Sequence, residues 1–363
     1  MKKIFWSIAI ISSTFVSCSD DDSVERPVDE LTSNDAVFVL TQGAFYDHVE
    51  GSFNVLNLKD GNWQQNVFTR VNGRSLGATP QCGIVYGSKI YIGTYESNTI
   101  EIIDRYTFES IKQIQLSGST NGQEPRSMVS EKGKIYISMF DGYVARLDTL
   151  TMTIDASVKV GPNPEEICLH KGKIYVPNSD GMNYANDYAD GTTVSVVTLN
   201  PFAVEKTLTV PLNPGVCVSS GDNVYLLSKG NYKVGKPDFI PSMVYKIEND
   251  GTTTPIQKGN MLTAGGDKIY IVDADYTMGG NHYYEYDTTS GRLEEKIVSG
   301  VEYPNCIAVD MVHSKIYISS NVWDGGFPGY TLPTYMMEYS LGWLPGKRYE
   351  LGIGESAIFF GNK

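Results

Sequence analysis

The sequence predicts an all-β fold, a seven-bladed β-propeller. Three observations carry that prediction: a repeated phrase, an aromatic and turn-rich composition, and complementary gaps at the two ends of the repeat array. The phrase Gly-x-Lys-Ile-Tyr-Ile, with small variations, places tyrosines at 91, 136, 175, 225, 270 and 317. Their spacings of 45, 39, 50, 45 and 47 residues suit one four-stranded blade each and exceed ankyrin or leucine-rich periods. The chain holds 24 Tyr, 13 Phe, 4 Trp and 36 Gly at only 20% charged residues, which excludes a disordered or collagenous protein. A length of 363 residues would ordinarily suggest two or three domains, but a ring of repeats grows by adding units and can remain one domain.

Within one repeat the strand order is readable. Residues 82–86 form an apolar strand, residues 87–88 a tight turn, residues 89–94 a second strand, residues 99–104 a third that alternates Ile with polar residues, and residues 111–116 a fourth. A seventh copy of the second strand comes early, at residues 36–40, with no first strand before it. The chain ends on residues 356–360, a first strand with no second after it. The C-terminal strand is therefore expected to complete the N-terminal blade, which removes the free edges that invite unwanted pairing.

The domain reading is a signal segment at 1–17, an acylated and flexible tether at 18–34, and the propeller at 35–363. Lys2 and Lys3 precede an apolar run that ends at Ser17-Cys18, and the run is too short to span a membrane. Small residues before this cysteine resemble the bacterial lipobox, in which the Cys18 thiol is diacylated; cleavage elsewhere, leaving an ordinary thiol, is the alternative. Acyl chains contribute about 0.8 kcal/mol per buried methylene, so two or more hold a domain stably at a membrane. Ser19, Asp20, Asp21 and Asp22 open the tether and resemble the surface-export signal of Bacteroidetes lipoproteins, which implies an outer-membrane protein facing the cell exterior. A plain solvated linker reads the same way in composition.

Loss of the leader removes two lysines and no acids, taking the formal charge from −13 to −15. That acidity argues against nucleic acid or an anionic membrane face as partner, because each needs a basic footprint. Cys82, Cys168, Cys217 and Cys306 follow repeat boundaries without any C-x-x-C pair, as expected of small packing residues, with a bridge such as Cys168 to Cys217 left open.

Function is read from the asymmetry of the connections. In an up-and-down blade the two-to-three loops and the links between blades share one face. The opposite face carries tight turns. The loops of the first face are long and aromatic: residues 42–51 with Phe45, Tyr46 and His48, 178–191 with Tyr184 and Tyr188, 229–241 with Tyr232 and Phe239, 275–282 with Tyr276 and His282, and 321–334 with Trp323, Phe327 and Tyr330. Links between blades add Arg74, Gln81, Arg126, Asn163, Glu165 and Asn213, and Tyr95 and Phe140 complete the candidate ligand-binding set. Long loops on a compact domain are usually functional, and Tyr and Trp bury large area at low entropy cost. About half of these rings are expected to pack the loops down instead.

An enzyme is not expected. Only four histidines exist, and no H-E-x-x-H, G-x-S-x-G or clustered His/Cys spacing appears. The innermost strands offer little for catalysis beyond Glu165, Glu166 and Glu355. No cofactor is expected. Asp180, Asn183, Asp187 and Asp190 form a weak calcium candidate whose spacing departs from the EF-hand, with a polar solvated loop as the competing reading.

With the lipobox, the acidic tether, the repeated phrase, Asp141-Gly142-Tyr143-Val144-Ala145-Arg146-Leu147-Asp148 and Val160-Gly161-Pro162-Asn163-Pro164-Glu165 in view, the chain resembles the YncE-like propeller lipoproteins of Bacteroidetes. Within that group it is most similar to the BtuG family of cobalamin-binding surface proteins. The resemblance implies capture of cobalamin or a related corrinoid and its passage to a TonB-dependent outer-membrane transporter, with attachment to the membrane through the lipid anchor alone. Cobalamin is large, nearly neutral and fringed with amides, so a broad face of rings and neutral hydrogen-bonding groups suits it, and cobalt coordination by His48 or His282 would be an addition. A carbohydrate-binding or adhesin-like propeller and a protein-interaction scaffold are the alternatives.

Overall fold

The computed structural model describes residues 35–44, 49–275, 280–323 and 331–361. Twenty-eight strands form seven four-stranded antiparallel sheets. Blade 2 runs from the axis outward as Pro80–Tyr86, Lys89–Thr94, Thr99–Asp104 and Ser110–Gln115. Blades 3 to 7 repeat that order, with inner strands Pro125–Glu131, Cys168–His170, Pro214–Ser220, Met261–Gly265 and Tyr303–Asp310. Blade 1 is composite. Its inner strand is Glu355–Phe360, followed by Ala36–Thr41, Ser52–Asn57 and the two-residue strand Trp63–Gln64.

Alternation along each strand supplies the packing. Side chains of opposite parity point to opposite sheet faces, so a blade buries one set against the blade before it and the other against the blade after. A separate cluster of buried residues fills each of the seven interfaces. In the repeated phrase the isoleucines at 90 and 92 pack toward blade 1, and Tyr91 packs toward blade 3. Tyr136, Tyr175, Tyr225, Tyr270 and Tyr317 occupy the same place at the interfaces that follow. The recurring tyrosine is therefore a wedge between blades.

Closure has the predicted form. Phe38 pairs with Phe359 and Val39 with Ile358 across blade 1. The Phe38 ring lies 5.3 Å from Phe359 and 5.5 Å from Phe53, and Phe53 lies 5.6 Å from Phe108 of blade 2. Gly83 makes this possible, since a Cβ there would come within 2.4 Å of the Phe359 ring. At the rim, Trp63 Nε1 donates to the Glu350 carbonyl at 3.0 Å and ties the shortened outer strand to blade 7. A short helix, α1 (Val67–Asn72), follows that strand and buries Val67 and Phe68; the sequence reading did not anticipate it.

The four cysteines among the described residues are unbridged. Cys82, Cys168 and Cys217 are buried, and Cys306 is half-buried. Cys168 and Cys217 meet as thiols across blades 4 and 5, and burial pushes the Cys217 thiol well above its ordinary range.

Two tests follow from the closure. Phe359→Ala removes a ring from a packed cluster and should cost about 3–5 kcal/mol, read as a lower urea midpoint at unchanged m. Glu355, 1% exposed on the closing strand, has its carboxyl pushed up to about 7 by burial, against lowering hydrogen bonds from Ser319, Cys306 and Asn305. Below the ordinary value of 4.5 the folded and unfolded chains both hold this proton; between there and about 7 only the folded chain does. Stability should then fall with rising pH by up to about 3 kcal/mol and level off above the folded value. Glu355→Gln should abolish that component, so urea midpoints at acid and alkaline pH should differ less than in the wild type. Equal differences would refute it.

Candidate functional site

Every inner strand starts at the end of the ring that carries the two-to-three loops, and four of them start with a bulge. The register slips between Pro80 and Cys82, Pro125 and Ser127, Pro214 and Val216, and Pro304 and Cys306. Pro lacks the N–H that continued pairing would use, and a bulge turns the extra side chain away from the sheet face. The residues so placed are Gln81, Arg126, Gly215 and Asn305. Gln81, Arg126 and Asn305, together with Lys229 and Asn260, line the mouth of an axial channel of about 410 Å³, whose deeper wall includes Met128, Val216, Leu262, Ile307, Val309 and Ile358.

Arg126 organises one side of the mouth. Its guanidinium donates to Gln81 Oε1 at 2.6 Å and to Glu165 Oε2 at 2.8 Å. It lies 4.7 Å from the centre of the Phe140 ring and 5.5 Å from that of Tyr95, and those two rings meet edge-on at 5.7 Å. Short connections at residues 95–98 and 140–142 hold both rings close over the inner strands. Burial pushes the Glu165 carboxyl up, but the charges of Lys229 and Arg126 and hydrogen bonds from Arg126 and Ser179 outweigh it and hold the group below its ordinary range. Asn163 Nδ2 donates to the Phe140 carbonyl at 3.0 Å and fixes the turn that carries the ring.

Two more ring pairs stand at the same end. Tyr188 and Tyr232, from the loops of blades 4 and 5, meet edge-on at 6.1 Å. Lys233 bridges these loops, reaching Asp187 and Asp238 at 2.7 Å each. On blade 7, Trp323 stacks on Tyr303 at 4.9 Å with the planes 9° apart. Tyr184 is 70% exposed, Tyr232 60%, Trp323 44% and Phe239 39%.

Several expected site residues lie elsewhere. Arg74 reaches Glu101 and Ser110 on the outer part of blade 2 and covers the Phe68 ring, because Glu101 is fully buried and needs a cation. His282 is on a strand: Lys268–Asp275 and Gly280–Asp287 extend further than the sequence suggested, and His282 pairs with Asp273 and contacts Glu295 at 2.7 Å. Phe140 and Asn213 are buried, and Asn213 Nδ2 holds the Gly230 carbonyl at 3.1 Å, so it shapes a loop instead of facing a ligand.

In the calcium candidate, Asp180 Oδ2 accepts from Asn183 Nδ2 and from the Asp190 N–H, and Asp187 is turned to Lys233. Asp180 and Asp187 are thus used in tying the loop, and among the described residues no group of three or more His, Cys, Asp or Glu is placed to hold a metal. Phe45, Tyr46, His48, Tyr276, Phe327, Tyr330 and Cys18 lie outside the described residues.

Lys229, Asn260, Asn305 and Tyr303 were missed from sequence. For Asn305 the available signal was the recurrent proline at 80, 125, 214 and 304, which marks the position whose following residue is set off in a bulge.

Comparison with solved structures supports the fold. A Bacteroides uniformis protein provisionally named a 6-phosphogluconolactonase matches at TM-score 0.62 and 11% identity, covering 90% of this chain and 99% of that one. A Bacteroides fragilis protein of the same provisional name matches at TM-score 0.59 and 11% identity, covering 91% and 99%. The apo form of AztD from Citrobacter koseri matches at TM-score 0.52 and 12% identity, covering 89% and 97%. No curated protein matches the sequence. A family model described as a domain of unknown function, DUF5074, matches residues 35–322, and this seven-bladed propeller is a member of that family.

Proposed function

We propose that the chain is a non-enzymatic capture protein, anchored through Cys18 to the outer membrane and facing outward, that binds a corrinoid such as cobalamin on its loop face and passes it to a TonB-dependent transporter. The observation that carries this reading is the set of two ring pairs, Tyr188 with Tyr232 and Tyr303 with Trp323, at one end of the ring. Spread over blades 4 to 7, they suit a broad, flat ligand better than a small one. The nearby cations Arg126 and Lys233 are engaged by Glu165, Asp187 and Asp238, so rings and neutral polar groups make up most of the surface, with Lys229 at the channel mouth the exception. A nearly neutral ligand fringed with amides is matched by such a surface.

Cyanocobalamin titrated calorimetrically into the leaderless protein should bind at micromolar or tighter Kd, while a panel of soluble glycans gives no heat. Tyr232→Ala and Trp323→Ala should each weaken binding about tenfold, about 1.4 kcal/mol, with thermal stability retained. No heat with cyanocobalamin would overturn the ligand class, and heat with a glycan would favour a carbohydrate-binding surface. Cys18→Ala should move the protein from the membrane to the soluble fraction of cells; unchanged fractionation would overturn the anchor.

A further inference from the structure

We propose that the axial channel, which opens at the centre of the loop face, is a second binding site, for a small monocarboxylic acid with an apolar body. The inference does not rest on the corrinoid reading.

Gly215 is the bulged residue of blade 5, at the position that carries Gln81, Arg126 and Asn305 in blades 2, 3 and 7. It has no side chain, and Lys229 from the end of the adjacent strand fills the gap. A Cβ on Gly215 would lie 2.5 Å from Lys229 Cε and 3.2 Å from its Nζ. The lysine therefore lies across a glycine that only a side-chain-free residue permits, and it lines the channel.

The other polar groups of the mouth are already engaged. Arg126 is held by Glu165 and Gln81. Asn260 both donates to and accepts from the backbone of Ala274. Asn305 Nδ2 donates to the Glu355 carbonyl at 2.6 Å. Lys229 differs: its backbone N–H is bonded to Asn213, while its ammonium, whose charge acts on Glu165, makes no direct ion pair or hydrogen bond among the described residues. An ammonium in a partly enclosed mouth favours an anion, since field lines there are less screened than on open surface.

Charge and shape narrow the class. Glu166 also lines the channel and is bridged to Val216 beside Gly215, so a second negative charge on the ligand would be repelled. The wall beneath mixes Met128, Val216, Leu262, Ile307, Val309 and Ile358 with Ser127, Thr263 and Ser356, and its apolar members offer contact to hydrocarbon. A cavity of about 410 Å³ falls within the size range of small-molecule sites. A carboxylate at Lys229 with a chain or ring directed down the channel satisfies both parts.

The test uses butanoate, hexanoate and octanoate titrated into the purified protein at constant pH and ionic strength. Saturable binding is expected, tightening about fourfold for each methylene until the channel is filled. Octanamide and the dianion suberate should bind at least about tenfold more weakly than octanoate. Lys229→Met should weaken octanoate about tenfold, and Gly215→Ala, whose Cβ displaces the lysine without altering its charge, should do the same while the melting curve shows the fold intact. Tyr232→Ala should leave octanoate binding unchanged. Failure of all three acids to saturate by about 10 mM, equal binding of octanamide, or wild-type affinity in both Lys229→Met and Gly215→Ala would overturn the proposal.

Discussion

Packing of each blade against the next is the constraint on which everything else in this molecule depends. A four-stranded sheet with both faces apolar cannot stand alone in water, and a row of such sheets would leave two faces bare. Joining the last sheet to the first covers both. Phe38, Phe53, Phe108 and Phe359 meet where blade 1 touches blade 2, and Tyr317, Tyr349 and Phe360 where blade 7 touches blade 1. The closing strand belongs to both interfaces, since Phe359 faces one and Phe360 the other. Adjacent residues of one strand thus seal the two seams that chain ends would otherwise open.

Ring geometry then determines what reaches the axis. Inner strands crowd together at the centre, and regular pairing would direct alternate residues only into blade interfaces. The Pro-initiated bulges release single side chains from that alternation and aim them at the channel mouth. Arg126 shows the electrostatic consequence. A guanidinium taken from bulk water is held by Glu165, by Gln81 and by two aromatic faces, and the shared environment keeps the Glu165 carboxyl ionised although it is buried. Lys229 reaches the same region by a different route, over Gly215, and adds its charge to the field that holds Glu165 ionised.

Much of the fold was legible because its signal is local and repeated. The strand boundaries read for blade 2 agree with Lys89–Thr94 and Thr99–Asp104 in the structure, and the complementary gaps at the two ends correctly implied closure. The site was less legible. Gln81 and Arg126 were recognised as residues between blades, but Arg74, at what looked like the same kind of position, is drawn outward by the buried carboxylate of Glu101. His282 was read into a loop because nothing in its neighbourhood marks how far a hairpin extends before it turns. Phe140 and Asn213 carry residue types common at binding surfaces, but the Phe140 ring is buried beneath Arg126 and Asn213 is spent on holding a loop.

By itself the sequence determined the number of blades, their strand order and the way the ring closes, because a two-residue alternation repeated at blade spacing encodes each of these locally. Only the tertiary structure decided which side chains share the axial mouth. Arg126 meets Glu165 across 39 residues of chain and Gln81 across 45, and such contacts leave no periodic trace in either partner's own segment. They exist because seven separately encoded sheets converge on one axis, and that convergence brings their first residues together.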